Sequence, residues 1–180
     1  SDTDGAVTYS IAFSDTAGNA GTAVTSGSGS VTTDTTAPTL SNVSITSDNS
    51  TSTLAKANDD VTLTFTASEA IGTPVVTFRS GGDAITDGSV VYSNTSGNTW
   101  TAVYTANASD TDGAVTYSIA FSDTSGNAGT AVTSGSGSIT TDTTAPTLSN
   151  VSIASDNTNT SKAKANDDVT LTFTASEAIG

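Results

Sequence analysis

Carboxylates are the one class of reactive side chain that this sequence holds in number. Its 18 Asp and Glu stand against 4 Lys and Arg, a net charge of −14, with no His and no Cys. Without His or Cys the usual zinc and copper sites are excluded, and the commonest catalytic bases and nucleophiles go with them. No carboxylate pair comes with a convincing catalytic constellation, so the chain reads as a non-enzyme. Nucleic acid is excluded because phosphate binding needs clustered Lys and Arg, and an anionic membrane surface is disfavoured for the same reason. Dense carboxylates call for hard divalent cations, and Ca²⁺ takes roughly 6–8 oxygen ligands of this kind.

The carboxylates come in repeated sets. Residues 1–72 return as 109–180, an offset of 108 residues, with 64 of the 72 comparable positions identical. A period this long is a whole domain and not a solenoid unit, so the chain describes a tandem array. The segment Thr-Asp-Thr-Thr-Ala-Pro, at 33–38 and again at 141–146, reads as the linker. Cutting there gives the C-terminal part of one repeat (1–36), one complete repeat (37–144) and the N-terminal part of the next (145–180). The chain thus reads as a stretch of a longer repetitive polymer. Five of the eight differences between the copies fall at 50–54 against 158–162, which marks a tolerant surface tip.

The elements that must position these carboxylates are strands. Val61, Leu63, Phe65 and Ala67 alternate with Thr62, Thr64 and Thr66, the period of a half-buried strand. Val115, Tyr117, Ile119 and Phe121 form a second inward set, and Trp100, Ala102 and Tyr104 a third. Turn dipeptides such as Asp87-Gly88, Ser96-Gly97, Asp112-Gly113 and Gly126-Asn127 separate the runs. About seven strands are predicted, A to G, at 39–48, 61–68, 73–80, 89–93, 98–106, 113–122 and 129–141. No segment shows a helical period. The fold class is therefore all-β, an antiparallel β-sandwich.

Asp-Thr-Thr-Ala-Pro opening a domain, then Val-Thr-Leu-Thr-Phe-Thr-Ala-Ser-Glu-Ala, then Ser-Asp-Thr-Ser-Gly-Asn, resembles the bacterial immunoglobulin-like domains of giant repeat adhesins exported by type I secretion. The resemblance covers the whole chain. It implies an immunoglobulin-like sandwich, an extracellular stalk on a bacterial surface, and calcium in the linkers between domains.

In a sandwich of that topology the start of strand A and the B–C and F–G loops share one pole. The A–B and E–F loops and the end of strand G share the other. Most carboxylates of a repeat fall at these poles; Asp48, Asp83 and Asp87 are the main exceptions. Two junction clusters are expected. One joins Asp2, Asp4, Asp34, Glu69 and Asp123; the other joins Asp59, Asp60, Asp110, Asp112, Asp142 and Glu177. The family pattern favours the linker pair Asp34 and Asp142 and the loop pair Glu69 and Glu177. Taken singly, each Asp also reads as a solvated loop charge, and Asp110 and Asp112 as turn formers.

Near-identical copies suit a spacer. The leading function is an extender segment of a cell-surface adhesin, stiffened by calcium at its joints, with adjacent repeats of the same chain as partners. The alternative is the building unit of an extracellular filament, sheath or surface layer, with identical chains in lateral contact. A carbohydrate-binding module is disfavoured, since Trp100, Tyr104 and Tyr117 fall on inward positions and Tyr92 alone is left for the surface. Lys56 and Lys164 could enter Lys–Asn isopeptide links, but they sit in loops.

Overall fold

Among the described residues every regular element is a strand, in keeping with the alternating sequence. The computed structural model describes residues 2–86 and 88–179; the turn expected at Asp87 lies outside them. Residues 1–142 form one compact unit and 143–180 another.

In the first unit, β1 (Gly5–Ala6) pairs with β2 (Thr32–Thr33). Then follow β3 (Leu40–Ser47), β4 (Leu54–Ala55), β5 (Asp60–Ala67), β6 (Val75–Ser80) and β7 (Asp83–Ala84). β8 (Val91–Ser96), β9 (Thr99–Thr105), β10 (Gly113–Ala120) and β11 (Thr140–Thr141) complete it. One sheet has the order β3-β5-β9-β8 and the other β4-β11-β10-β6-β7. All pairings in these two sheets are antiparallel except β4 with β11, which run parallel.

The two sheets share one core, giving a sandwich-like all-β fold. Val61, Leu63 and Phe65 of β5 are each 0% exposed. They meet Ala102 and Tyr104 of β9, Val76 and Phe78 of β6, and Ile119 of β10. The rings of Phe78 and Tyr104 bring the two sheets together, their centroids 4.7 Å apart and tilted by 45°. This geometry is favourable for aromatic pairs. Trp100 and Tyr117 are half-buried against the same core. Tyr92, expected at the surface, is also half-buried against it.

Three local features depart from the simple alternation. Asn42 takes a φ of 51°, and the β3–β5 register shifts between Ser41 and Ser44. Asn tolerates this left-handed backbone better than most residues, so the strand bulges there. The predicted strand 129–141 breaks into bridges. Val132 pairs with Ile119, Ser136 runs parallel to Ser44, and only Thr140–Thr141 remain as a ladder. A Cβ at Gly135 or Gly137 would collide with the carbonyl oxygens of Val43 or Ile45, so this segment crosses β3 where no side chain fits. The tip at 50–54 runs into β4, whose Ala55 is 1% exposed.

Residues 2–33 carry the sequence of β10 and its neighbours, but Val7, Tyr9, Ile11, Phe13, Val24 and Val31 are exposed. The second unit consists of β12 (Leu148–Ser155) antiparallel to β13 (Val169–Ala175), with Ile153, Leu171 and Phe173 exposed. Its Asn150 repeats the Asn42 bulge at φ 50°.

Candidate cation site at the junction

The loop between Phe121 and Ala128 folds on its own side chains. The Asp123 Oδ1 accepts hydrogen bonds from the amides of Ser125 (2.9 Å), Gly126 (2.7 Å) and Asn127 (2.8 Å). Its Oδ2 accepts one from Asn127 Nδ2 (2.8 Å). Gly126 supplies the positive φ of 99° that this turn needs. The first copy repeats the pattern, with Asp15 accepting from the amides of Ala17 and Asn19 and from Asn19 Nδ2. Five residues therefore set this loop whether or not a sheet covers it.

The loop then grips the segment between β2 and β3. Asn127 Nδ2 donates to the Asp34 carbonyl (3.0 Å), and Ser125 Oγ donates to the Asp34 carboxylate (2.9 Å). On the other side Asp4 holds Thr35, accepting from its amide and hydroxyl at 2.7 Å each, and it also accepts from the Thr36 hydroxyl. These bonds hold the Asp4 carboxyl below its usual range, the Thr36 hydroxyl most and then Thr35. The β5–β6 loop is tied in as well: Thr39 and Ser68 exchange hydrogen bonds at 2.9 and 3.0 Å, and Gly72 donates to the Ser122 carbonyl at 3.0 Å.

That scaffold brings Asp34, Glu69 and Asp123 together, with carboxylate oxygens within 4.8 Å of one another. Among the described residues this is the one group of three acidic side chains at such spacing. The segment between β2 and β3 supplies Asp34, and the β5–β6 and β10–β11 loops supply Glu69 and Asp123. Asp123 is buried, while Asp34 and Glu69 are half-buried. Burial pushes the Glu69 carboxyl up, and Asp34, Asp123 and Asp4 push it further by like-charge repulsion, in that order. The two cations of the first unit are engaged elsewhere, Lys56 with Asp59 and Arg79 with the Gly82 carbonyl. The cluster therefore offers oxygen ligands and an unneutralised negative potential, the requirements of a hard divalent cation. A carboxylate oxygen carries two lone pairs, so the Asp123 Oδ2 that accepts from Asn127 Nδ2 can also face an ion.

The other expected ligands take other positions. Asp2 is exposed and lies outside the triad. Asp59 is locked by its own loop: Lys56 Nζ donates to Oδ1 (2.8 Å), while the Lys56 amide (2.8 Å) and Asn49 Nδ2 (2.6 Å) donate to Oδ2. Burial opposes its ionisation, but these donors outweigh burial and hold its pKa down at about 2. Asp167, in the second unit, is held low by the equivalent Lys164 and Asn157. Asp60 accepts from the Thr105 hydroxyl (2.7 Å). Asp110 is buried and accepts from the amides of Thr86 (2.7 Å) and Asn107 (2.9 Å). Asp112 and Asp142 are exposed, and the Asp142 amide donates to the Ala55 carbonyl (2.9 Å). Glu177 is half-buried in the second unit. The bonds from Ser125 and Asn127 to Asp34 are not legible in the sequence. The Ser-Gly-Asn motif marked a turn but not what its spare donors would reach.

No protein-family model, curated protein or solved structure matches this chain. Among the described residues no helix is long and apolar enough to cross a membrane.

Proposed function

We propose that this chain is a structural extender, a run of tandem immunoglobulin-like repeats in a bacterial surface adhesin whose joints are stiffened by calcium. The order β3-β5-β9-β8 opposite β11-β10-β6 corresponds to strands A-B-E-D opposite G-F-C, the immunoglobulin arrangement, which supports that reading of the fold. The observation that carries the function is the triad: one carboxylate comes from the linker and two from the loops that receive it. An ion there ties the linker to the next repeat, and without one the like charges push the joint apart. Asp4, Asp34 and Glu69 recur as Asp112, Asp142 and Glu177, so each joint of the array carries the same acidic positions. The buried or half-buried aromatics of the complete repeat count against a sugar-binding groove.

Small-angle scattering of the chain with calcium and with chelator tests the proposal. Calcium should lengthen the particle and reduce its flexibility, and Asp34→Asn should shrink the difference. An identical scattering curve in both conditions overturns calcium stiffening. Lateral association that persists in chelator favours the filament instead.

A further inference from the structure

β6 is the last long strand of its sheet, and its outer edge is covered only in part. β10 pairs with it along its whole length on one side, whereas on the other β7 reaches only Arg79 and Ser80. The backbone of Val76 is met instead by a side chain. Tyr92 belongs to β8, the outer strand of the opposite sheet. Its hydroxyl accepts from the Val76 amide (2.8 Å) and donates to the Val76 carbonyl (3.4 Å). One phenol thus takes the pair of backbone groups that a neighbouring strand would use.

Everything around that hydroxyl suits strand addition. The run Val75-Val-Thr-Phe78 is rich in β-branched and aromatic residues, which favour a pleated surface. Val75 is 63% exposed beside it, and Val91 on β8 is 68% exposed. The strand has no carboxylate and carries Arg79, one of only four cations in a chain of net charge −14. A second copy, itself strongly acidic, therefore meets a cation and no carboxylate along β6. β7 already occupies the edge at Arg79 and Ser80, so the open stretch is Val75–Phe78; in an antiparallel β6–β6 pair centred on Val76, each Arg79 stays beside its own β7 and the two cations do not meet. Exposed edges of this kind are templates for other chains unless something blunts them.

We propose that the β6 edge is a strand-addition surface for a second copy of this chain, held shut by the Tyr92 hydroxyl. The latch keeps neighbouring arrays from zipping together along their sides. It involves no metal, and its test runs in chelator, apart from any question about the joint.

The chain has no Cys, so Thr77→Cys provides a single site for a pyrene label on the outward face of β6. In that background Tyr92→Phe keeps the ring and removes the hydroxyl. The expected result is Val76 amide exchange faster on the order of ten-fold, as loss of one hydrogen bond predicts, together with concentration-dependent pyrene excimer that the parent lacks. Val75→Lys added to Tyr92→Phe should remove the excimer by placing a charge on the edge. Unchanged Val76 exchange, faster exchange without excimer, equal excimer in the parent, or excimer that survives Val75→Lys would each overturn the proposal.

Discussion

Asp59→Asn separates a structural carboxylate from a metal ligand. The drop in the Asp59 pKa from 3.8 to about 2 converts to ~2 kcal/mol of folded-state preference for the ionised form. The Lys56 side chain is 68% exposed, so water screens its share and the expected loss is ~1–2 kcal/mol. The sign follows from the direction of the shift. A carboxyl whose pKa falls on folding stabilises above its unfolded pKa, and that contribution disappears as pH drops through the folded one. Asp59→Asn should therefore lower stability at pH 7 and cost progressively less between about pH 4 and 2. Urea unfolding followed by Trp100, the one tryptophan and half-buried in β9, reads this unit directly. With a slope of ~1–2 kcal/mol per molar, the midpoint should fall by about 1 M, and equally with calcium or chelator. Lys56→Ala should lose less, because the Lys56 amide and Asn49 bonds remain. A variant as stable as the parent at pH 7 refutes the argument. So does a loss that appears only in calcium, which would make Asp59 a ligand.

Glu69→Gln removes one of the mutually repelling charges at the joint. Without calcium it should raise the melting temperature slightly, because the Glu69 pKa is raised and its ionised form is the disfavoured one; for the same reason the parent should gain stability as pH falls from neutral into the raised range. With calcium, calorimetry should show the parent gaining ~1.4 kcal/mol at ten times the dissociation constant and Glu69→Gln gaining little. Gly129→Ala would set a Cβ inside the ring of Phe121 and 2.8 Å from the Pro38 carbonyl; denaturant titration should show a loss of ~1–3 kcal/mol from overpacking. Phe65→Ala, at a position 0% exposed, should lose ~3–5 kcal/mol in the same assay.

The long strands were legible because burial imposes alternation on them. Val61, Leu63 and Phe65 could face only one way, and β5 follows. β4 and β7 were not legible, because two residues show no period and their pairing depends on distant partners. The stretch 129–141 reads as a strand by composition, but its glycines let it pass too close to β3 for a continuous ladder. At the site, the proximity of Asp34, Glu69 and Asp123 could be reasoned from which loops share a pole. The different fate of Asp59 could not. It depends on Lys56 and Asn49 folding back within one loop, and in the sequence such a carboxylate looks the same as a free one.

The parallel pairing of β4 with β11 has a mechanical consequence. β4 and β11 run side by side and Ser44 bridges Ser136, with Pro38 just ahead of β3 at one end of these segments and Asp142 just after β11 at the other. Pulling those ends apart slides the two segments past each other instead of peeling them. The bonds Ile45 to Ser136 (3.0 Å), Ser136 to Val43 (2.8 Å), Thr140 to Thr53 (2.9 Å) and Asp142 to Ala55 (2.9 Å) then bear the tension together. All must yield nearly at once, so the repeat should resist stretching along its length far better than a hairpin opened from one end, whose bonds break one by one.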